Sequence, residues 1–219
     1  MITLEDIKQN KAIREYIQRA DDSLKALGYT EHSFAHVDKV AAGVEYILST
    51  LNYSAHDIEI ARIAAYMHDI GNLVNRVDHS QSGAIMAFRI LDRMGMDESD
   101  IATIVTAIGN HDEGTGVAVN ATAAALILAD KSDVRRSRVR NNDVSTFDIH
   151  DRVNYSAVDS SLKINEEKTV IHLELTIETK YSSVMDYFEI FLGRMIMCRK
   201  AAESLGLRFS LSINGQILL

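Results

Sequence analysis

The 219-residue chain has no proline and no tryptophan, one cysteine, and aromatic residues at only 6%. Average proline usage of about 5% would put roughly 11 in a chain of this length. Glycine and asparagine must therefore supply most of its helix stops. A single cysteine, Cys198, excludes an intrachain disulfide framework and a thiolate zinc site. It lies among apolar residues of a predicted helix, which reads as core packing rather than a nucleophile. The longest uncharged run, from Gly114 to Ala129, is interrupted by Asn120 and Thr122 and is too short to span a bilayer. The opening MITLEDIKQN lacks the basic start and apolar run of a signal peptide. The expectation is a soluble, cytoplasmic protein.

Basic residues are also in deficit, 23 against 31 acidic, for a net charge of -8. That balance disfavours a general nucleic-acid binder. What is present is ordinary globular material, 47% apolar and 25% charged, enough to build a core. The excess is in histidine. There are eight, and six of them (His32, His36, His56, His68, His79, His111) fall between positions 32 and 111.

Hydrophobic periodicity predicts helices over the first two thirds. Ile13, Ile17, Ala20, Leu24 and Leu27 share a face, and Gly28 stops the helix. Further helices are predicted over about 30–51 with Thr30 as N-cap, from Ser54 to near Gly71, over 80–94 closed by Gly95, from behind Asp97 to about 110, and over about 120–139. The period then changes. Ile171, Leu173, Leu175 and Ile177 alternate with polar residues as in a half-buried strand, and a preceding strand is predicted over about 153–164. A helix over about 183–205 and a last strand through Phe209, Leu211 and Ile213 follow. The fold class is mainly α: a helical bundle over 1–142, then a small ββαβ subdomain over 143–219.

On those helices, polar residues point into apolar faces. Residues three, four and seven apart share a face. By that rule Asp130 lies with Ala123, Leu126, Ile127 and Val134, His111 with Ile104 and Ile108, His68 with Ala61, Ala64 and Ala65, and His36 with Val40 and Gly43. A lone buried carboxylate costs several kcal/mol or takes up a proton. Several such groups on different helices are best reconciled by a shared cation.

The order His36, then His68-Asp69, then the distant Asp130, all on helices, resembles the HD-domain metal-dependent phosphohydrolases over about residues 30–140. His79 and His111 match the subset of that family that binds two metals. The strings HDIG at His68, HSQSGA at His79 and NHDEGTG at Asn110 are similar to the HD-GYP branch. The bacterial dinucleoside tetraphosphate hydrolases share the same ligand order. The chain departs from the HD-GYP branch in having Asn72 in place of a lysine, Asn110-His111 in place of a double histidine, and no final Tyr-Pro. These departures bear on cyclic dinucleotides as substrate and leave the ligand positions intact.

The resemblance implies an HD-type helical bundle in which His36, His68, Asp69 and Asp130 hold one metal. Asp69 would bridge to a second, held also by His79 and His111, with His68-Asp69 at the catalytic centre. The donor set suits iron or manganese, with cobalt, nickel or zinc as further candidates. Two close metals would generate hydroxide from water and stabilise charge on phosphoryl oxygens. The implied activity is hydrolysis of a nucleotide or other small phosphoester. A diiron oxygenase and a non-catalytic metal- or nucleotide-sensing module are the alternatives.

One concentrated basic run, KSDVRRSRVR at 131–140, directly follows Asp130. If the helix continues, Lys131, Arg135 and Arg138 share a stripe beside the Asp130 face and are candidate substrate-phosphate ligands. Arg136 and Arg140 then face solvent. His32, one turn before His36, is a neighbour of the site, while His56, His150 and His172 read as ordinary core or surface residues. The predicted strand edge in the tail is a candidate surface for homodimer formation.

Overall fold

The computed structural model describes residues 2–219. Its helices are α1 (Leu4–Gln9), α2 (Lys11–Ala26), α3 (Phe34–Thr50), α4 (Ala55–Met67), α5 (His79–Met94), α6 (Glu98–Gly109), α7 (Ala121–Lys131), α8 (Ile149–Ser156) and α9 (Val184–Ser204). The strands are β1 (Ala157–Ile164), β2 (Val170–Ile177), β3 (Arg208–Ile213) and β4 (Gln216–Ile217). The architecture is thus a helical bundle with a small sheet at its C-terminal end, as the periodicity led us to expect. Among the described residues, no helix is long and apolar enough to cross a membrane.

Side-chain caps set most of the helix starts. Ser54 accepts from Asp57 N at 3.1 Å and Asn120 from Ala123 N at 2.7 Å, satisfying donors that have no partner inside the helix. Ser183 and Asp186 form a reciprocal capping box on α9. Helix α3 starts one turn later than the periodicity suggested, at Phe34, because Ser33 rather than Thr30 is its N-cap.

Helix α7 is the centre of the bundle. Every residue from Thr122 to Ala129 is buried, which explains its run of small and aliphatic side chains without a polar face. It packs against α3, α4, α6 and α9. Carboxylates and imidazoles at its C-terminal end therefore sit deep in the molecule.

Two expected elements differ from the structure. The helix carrying Asp130 ends at Lys131, not near 139. Ser132 Oγ donates to the Ala129 carbonyl at 2.8 Å, a local bond that competes with helix continuation. Arg138 then takes over the released backbone, its Nη1 donating to Asp133 O and its Nε to Glu31 O, each at 2.8 Å. The second difference is at residues 149–156, where α8 takes up the first third of the predicted strand. Asp148 caps it by accepting from Asp151 N at 2.8 Å.

The sheet order is β1-β2-β3-β4. β1 runs antiparallel to β2, β3 parallel to β2, and β4 antiparallel to β3. The parallel pair requires a crossover, and α9 provides it. Ile171, Leu173, Leu175 and Ile177 all point inward, so the expected alternation of β2 holds. Their side chains join those of α3, α4 and α7 in one continuous apolar cluster.

Candidate metal centre

Helix ends and one tight turn bring the polar residues together. His36 lies in the first turn of α3, His68 caps the C-terminus of α4, His79 opens α5, His111 follows α6, and Asp130 is the penultimate residue of α7. Asp69 leads into a short 3-10 turn, Ile70–Leu73. Gly71 in that turn is required by close approach: a Cβ there would overlap the His79 carbonyl oxygen and the Gly83 nitrogen. Only a glycine lets the His68-Asp69 turn touch the start of α5. Gly116 plays the same part for the loop after His111, where a Cβ would overlap the Asn110 and Asp112 carbonyl oxygens.

The imidazoles are oriented from behind. The Nδ1 atoms of His68, His79 and His111 lie 2.7, 3.0 and 2.6 Å from the carbonyl oxygens of Ala65, Arg76 and Ile108. A carbonyl can only accept, so these three Nδ1 atoms carry the proton. His36 Nδ1 faces Asp133 Oδ2 at 2.8 Å. All four rings thus present Nε2 to the interior.

What those Nε2 atoms meet is two carboxylates. Asp69 Oδ2 lies 3.6 Å from His36 Nε2 and 3.3 Å from His68 Nε2. Asp130 Oδ1 is 3.3 and 3.7 Å from the same two nitrogens. The other oxygen of Asp69, Oδ1, lies 3.4 Å from His79 Nε2 and 3.9 Å from His111 Nε2. Asp69 therefore divides its oxygens between two histidine pairs. His79 Nε2 and His111 Nε2 are 3.2 Å apart.

These contacts test whether a cation fits. The Nε2 atoms of His36 and His68 are buried and have no hydrogen-bond partner in acceptable geometry. Buried polar atoms are rarely left so. Two lone pairs facing each other at His79 and His111, with their Nδ1 protons committed elsewhere, also call for a positive centre between them. His36, His68 and Asp130 form one group of converging donor atoms, and His68, Asp69 and His111 another. Nitrogen and oxygen donors with no thiolate suit first-row divalent metals.

The electrostatics agree. Burial opposes charge on Asp69, yet His68, His32 and His79 hold its pKa well below the ordinary carboxylate value. Burial likewise opposes charge on Asp130, where Lys131, His36 and His68 prevail. Burial, with the nearby charges of His68 and Lys131, keeps the His111 pKa well below the usual imidazole value. His79 is lowered by burial and by Arg76 and Lys131, against the pull of Asp69. At His79 and His111 this favours the neutral imidazole that metal binding needs, whereas at His68 the carboxylates of Asp69 and Asp130 outweigh burial and raise the pKa, so a metal there displaces a proton.

The basic run divides. Lys131, although 5% exposed, pairs with Asp130 Oδ2 at 2.8 Å and Glu113 at 3.2 Å and lines the small cavity over the cluster. Arg138 lines that cavity too. Arg135 does not: its guanidinium bonds Asp133 and Glu31 at 2.9 and 3.0 Å and borders a separate shallow cavity. The three do not form a helical stripe, because the helix ends before them. Arg136 and Arg140, expected toward solvent, are instead tied down. Arg136 bonds Glu178 and lies over the Tyr155 ring, and Arg140 pairs with the buried Asp21.

Several residues of the site had no signal in our reading of the sequence. Asp133, which orients His36, is one of them. Asn72, one of the departures from the HD-GYP strings, donates to Asp69 Oδ1 at 2.9 Å and so positions the shared carboxylate. Arg76, between the HD pair and His79, and Arg194 on the distant α9 also line the cavity. His32 stands at its edge, with Nδ1 2.7 Å from Thr30 O and its ring edge-on to His36. His56 pairs with Asp100, and His172 bonds Ser212.

A helical bundle whose helix ends converge four histidines and two carboxylates defines a metal-binding α-helical protein. The HD-domain family model matches residues 33–189, and the chain belongs to that family, the HD superfamily of metal-dependent phosphohydrolases. It is 24% identical over 189 residues to the uncharacterized protein MJ1020 of Methanocaldococcus jannaschii, covering 76% of this chain and 73% of that one. It is also similar to a crystal structure described as a predicted HD superfamily hydrolase from an uncultured Thermotogales bacterium. That match has 27% identity and a TM-score of 0.42, and covers 62% of this chain and 75% of the other.

Proposed function

We propose that the protein is a cytoplasmic, metal-dependent phosphohydrolase acting on a nucleotide or other small phosphoester through a dinuclear centre. The observation that carries this is the division of Asp69: Oδ2 serves the His36–His68 pair and Oδ1 the His79–His111 pair. A carboxylate so placed would be shared by two cations. His36, His68 and Asp130 would complete one position, and His79 and His111 the other. Bound there, iron or manganese would supply hydroxide from water near neutral pH and neutralise charge on the phosphoryl oxygens.

The remaining chemistry belongs to the side chains. The Nδ1 bonds to Ala65, Arg76, Ile108 and Asp133 hold each ring in its ligating tautomer. Asn72 keeps Asp69 from rotating out of its shared position. Lys131 and Arg138 border the same cavity and would meet the substrate's phosphoryl group.

The test is metal content together with turnover. Protein purified in the presence of iron or manganese should carry close to two metals per chain and release phosphate in a metal-dependent way. Asp69→Ala should lose both properties while keeping its helical circular dichroism. Phosphate release that survives this change would sink the mechanism. Iron-dependent oxygen uptake without phosphate release would place the chain with the oxygenases instead.

A further inference from the structure

The small cavity above the histidines, about 20 Å³, adjoins a larger one of about 440 Å³. His32, Arg76, Arg138 and Arg194 belong to the walls of both. The junction is therefore cationic. Arg138 is fixed there by the Glu31 and Asp133 carbonyls. Arg194 lies over the Phe191 ring, 4.5 Å from its centroid, and pairs with Glu113. Arg76 is held at 3.3 Å by Asn72, 5.9 Å from the Tyr29 ring centroid. Three guanidiniums from three parts of the chain meet at one place.

The larger cavity also has lining of the opposite character. It includes Asp148, Asp151 and Asn154 of the α8 segment. Ionised carboxylates only accept hydrogen bonds. The Asn154 amide nitrogen donates to the His150 carbonyl at 2.9 Å, and its oxygen is available as a further acceptor. A molecule spanning the cavity must thus bring an anion to the arginines and hydroxyl or similar donors to α8. The volume of 440 Å³ lies toward the lower end of the range of about 300–1,000 Å³ for small-molecule sites. That is room for a sugar or nucleoside.

We propose that the substrate is the monophosphate of a single pentose-sized polyol, free or carrying one base. Its phosphate would sit at Arg76, Arg138 and Arg194, and its hydroxyls on Asp148, Asp151 and Asn154. This rests on the hydrolase reading above and narrows its substrate class.

Calorimetric titration of the metal-loaded protein tests it without turnover. The probes are methylphosphonate and the non-hydrolysable methylenephosphonate analogues of ribose 5-phosphate and of adenosine 5′-monophosphate. At least one pentose probe should bind about tenfold or more tighter than methylphosphonate, the gain of one or two hydrogen bonds to charged acceptors. Asp151→Ala should remove that advantage and leave methylphosphonate binding unchanged. Arg76→Gln and Arg194→Gln should weaken every probe by about tenfold. Whichever pentose probe binds more tightly shows whether the base contributes. Equal affinity for methylphosphonate and both pentose probes, or tighter binding of a dinucleoside polyphosphate analogue, would overturn the proposal. Absence of phosphate release from any ester, with this binding pattern intact, would instead overturn the hydrolase reading alone.

Discussion

Two sets of polar residues in this chain behave in opposite ways. The histidines and carboxylates of the candidate centre are spread from position 36 to 130, yet their donor atoms converge within 4 Å of one another in successive pairs. The five basic residues of 131–140 lie within ten positions, yet they scatter. Lys131 and Arg138 reach the cavity, Arg135 turns to Glu31, Arg136 to Glu178, and Arg140 to Asp21. Clustering along the chain is thus no guide to clustering in space. The first set sits on rigid helix ends whose apolar faces must be buried, so each polar member is carried inward with its helix. The second set begins where the helix stops, and each side chain then goes to a different carboxylate or carbonyl.

The contrast can be broken by disturbing convergence. Gly71→Ala should have the largest effect. The added methyl group would force the His68-Asp69 turn away from α5. A loss of about 1–3 kcal/mol or more is expected, as for overpacking elsewhere, together with loss of the second metal. Thermal melting and metal analysis of the same sample check both.

A smaller effect is expected behind the site. Asp133→Asn can still reach His36 Nδ1 but can no longer offer it a full carboxylate. Metal affinity should fall about 10–100-fold, as for other partners of metal-bound histidines. Competition with a chelator measures it, and unchanged affinity would show that the His36–Asp133 contact is incidental.

The dispersed set should respond less still. Arg136→Ala removes a partly exposed pair with Glu178, of a kind that adds little to stability, together with a bond to the Tyr155 carbonyl. Melting should shift slightly, with phosphate release unaltered. A large fall in turnover would join Arg136 to the centre and erase the distinction drawn above.

The last prediction concerns reactivity in the core beneath both regions. Burial pushes the Cys198 thiol up to about 12. Its deprotonated form is therefore scarce below that pH and grows only as pH rises toward it. The native protein should not react with a thiol reagent at pH 8, whereas in denaturant the single thiol should titrate fully. Reaction of the native form would show that α9 opens away from the bundle.

Much of the fold was legible because its cues are local. Asn120, Ser54 and Gly95 mark helix ends by the hydrogen bonds and backbone angles they permit. The alternation of Ile171 to Ile177 required a strand. Residues 153–156 differ from the predicted strand because Val153 and Ser156 fit either period, and the Asp148 cap decides for helix. The site was legible to the extent that its members carry an apolar context: His36, His68, His111 and Asp130 each lie among aliphatic neighbours on a helix. Arg194 carries no such cue, since an arginine on an amphipathic helix is ordinarily solvated.

By itself, the sequence determined that this chain is mainly helical, that it cannot rely on disulfides, and that its buried histidines and carboxylates demand compensation. Those conclusions follow from composition and from the free energy of burying charge, neither of which depends on the path of the chain. The tertiary structure alone decided that Asp69 faces two histidine pairs, that Asp133 and Asn72 hold the site from behind, and that arginines from three segments line one junction. Those facts depend on where α7 ends and how closely Gly71 lets two turns approach, and such contacts between distant parts of the chain leave no periodic trace in the sequence.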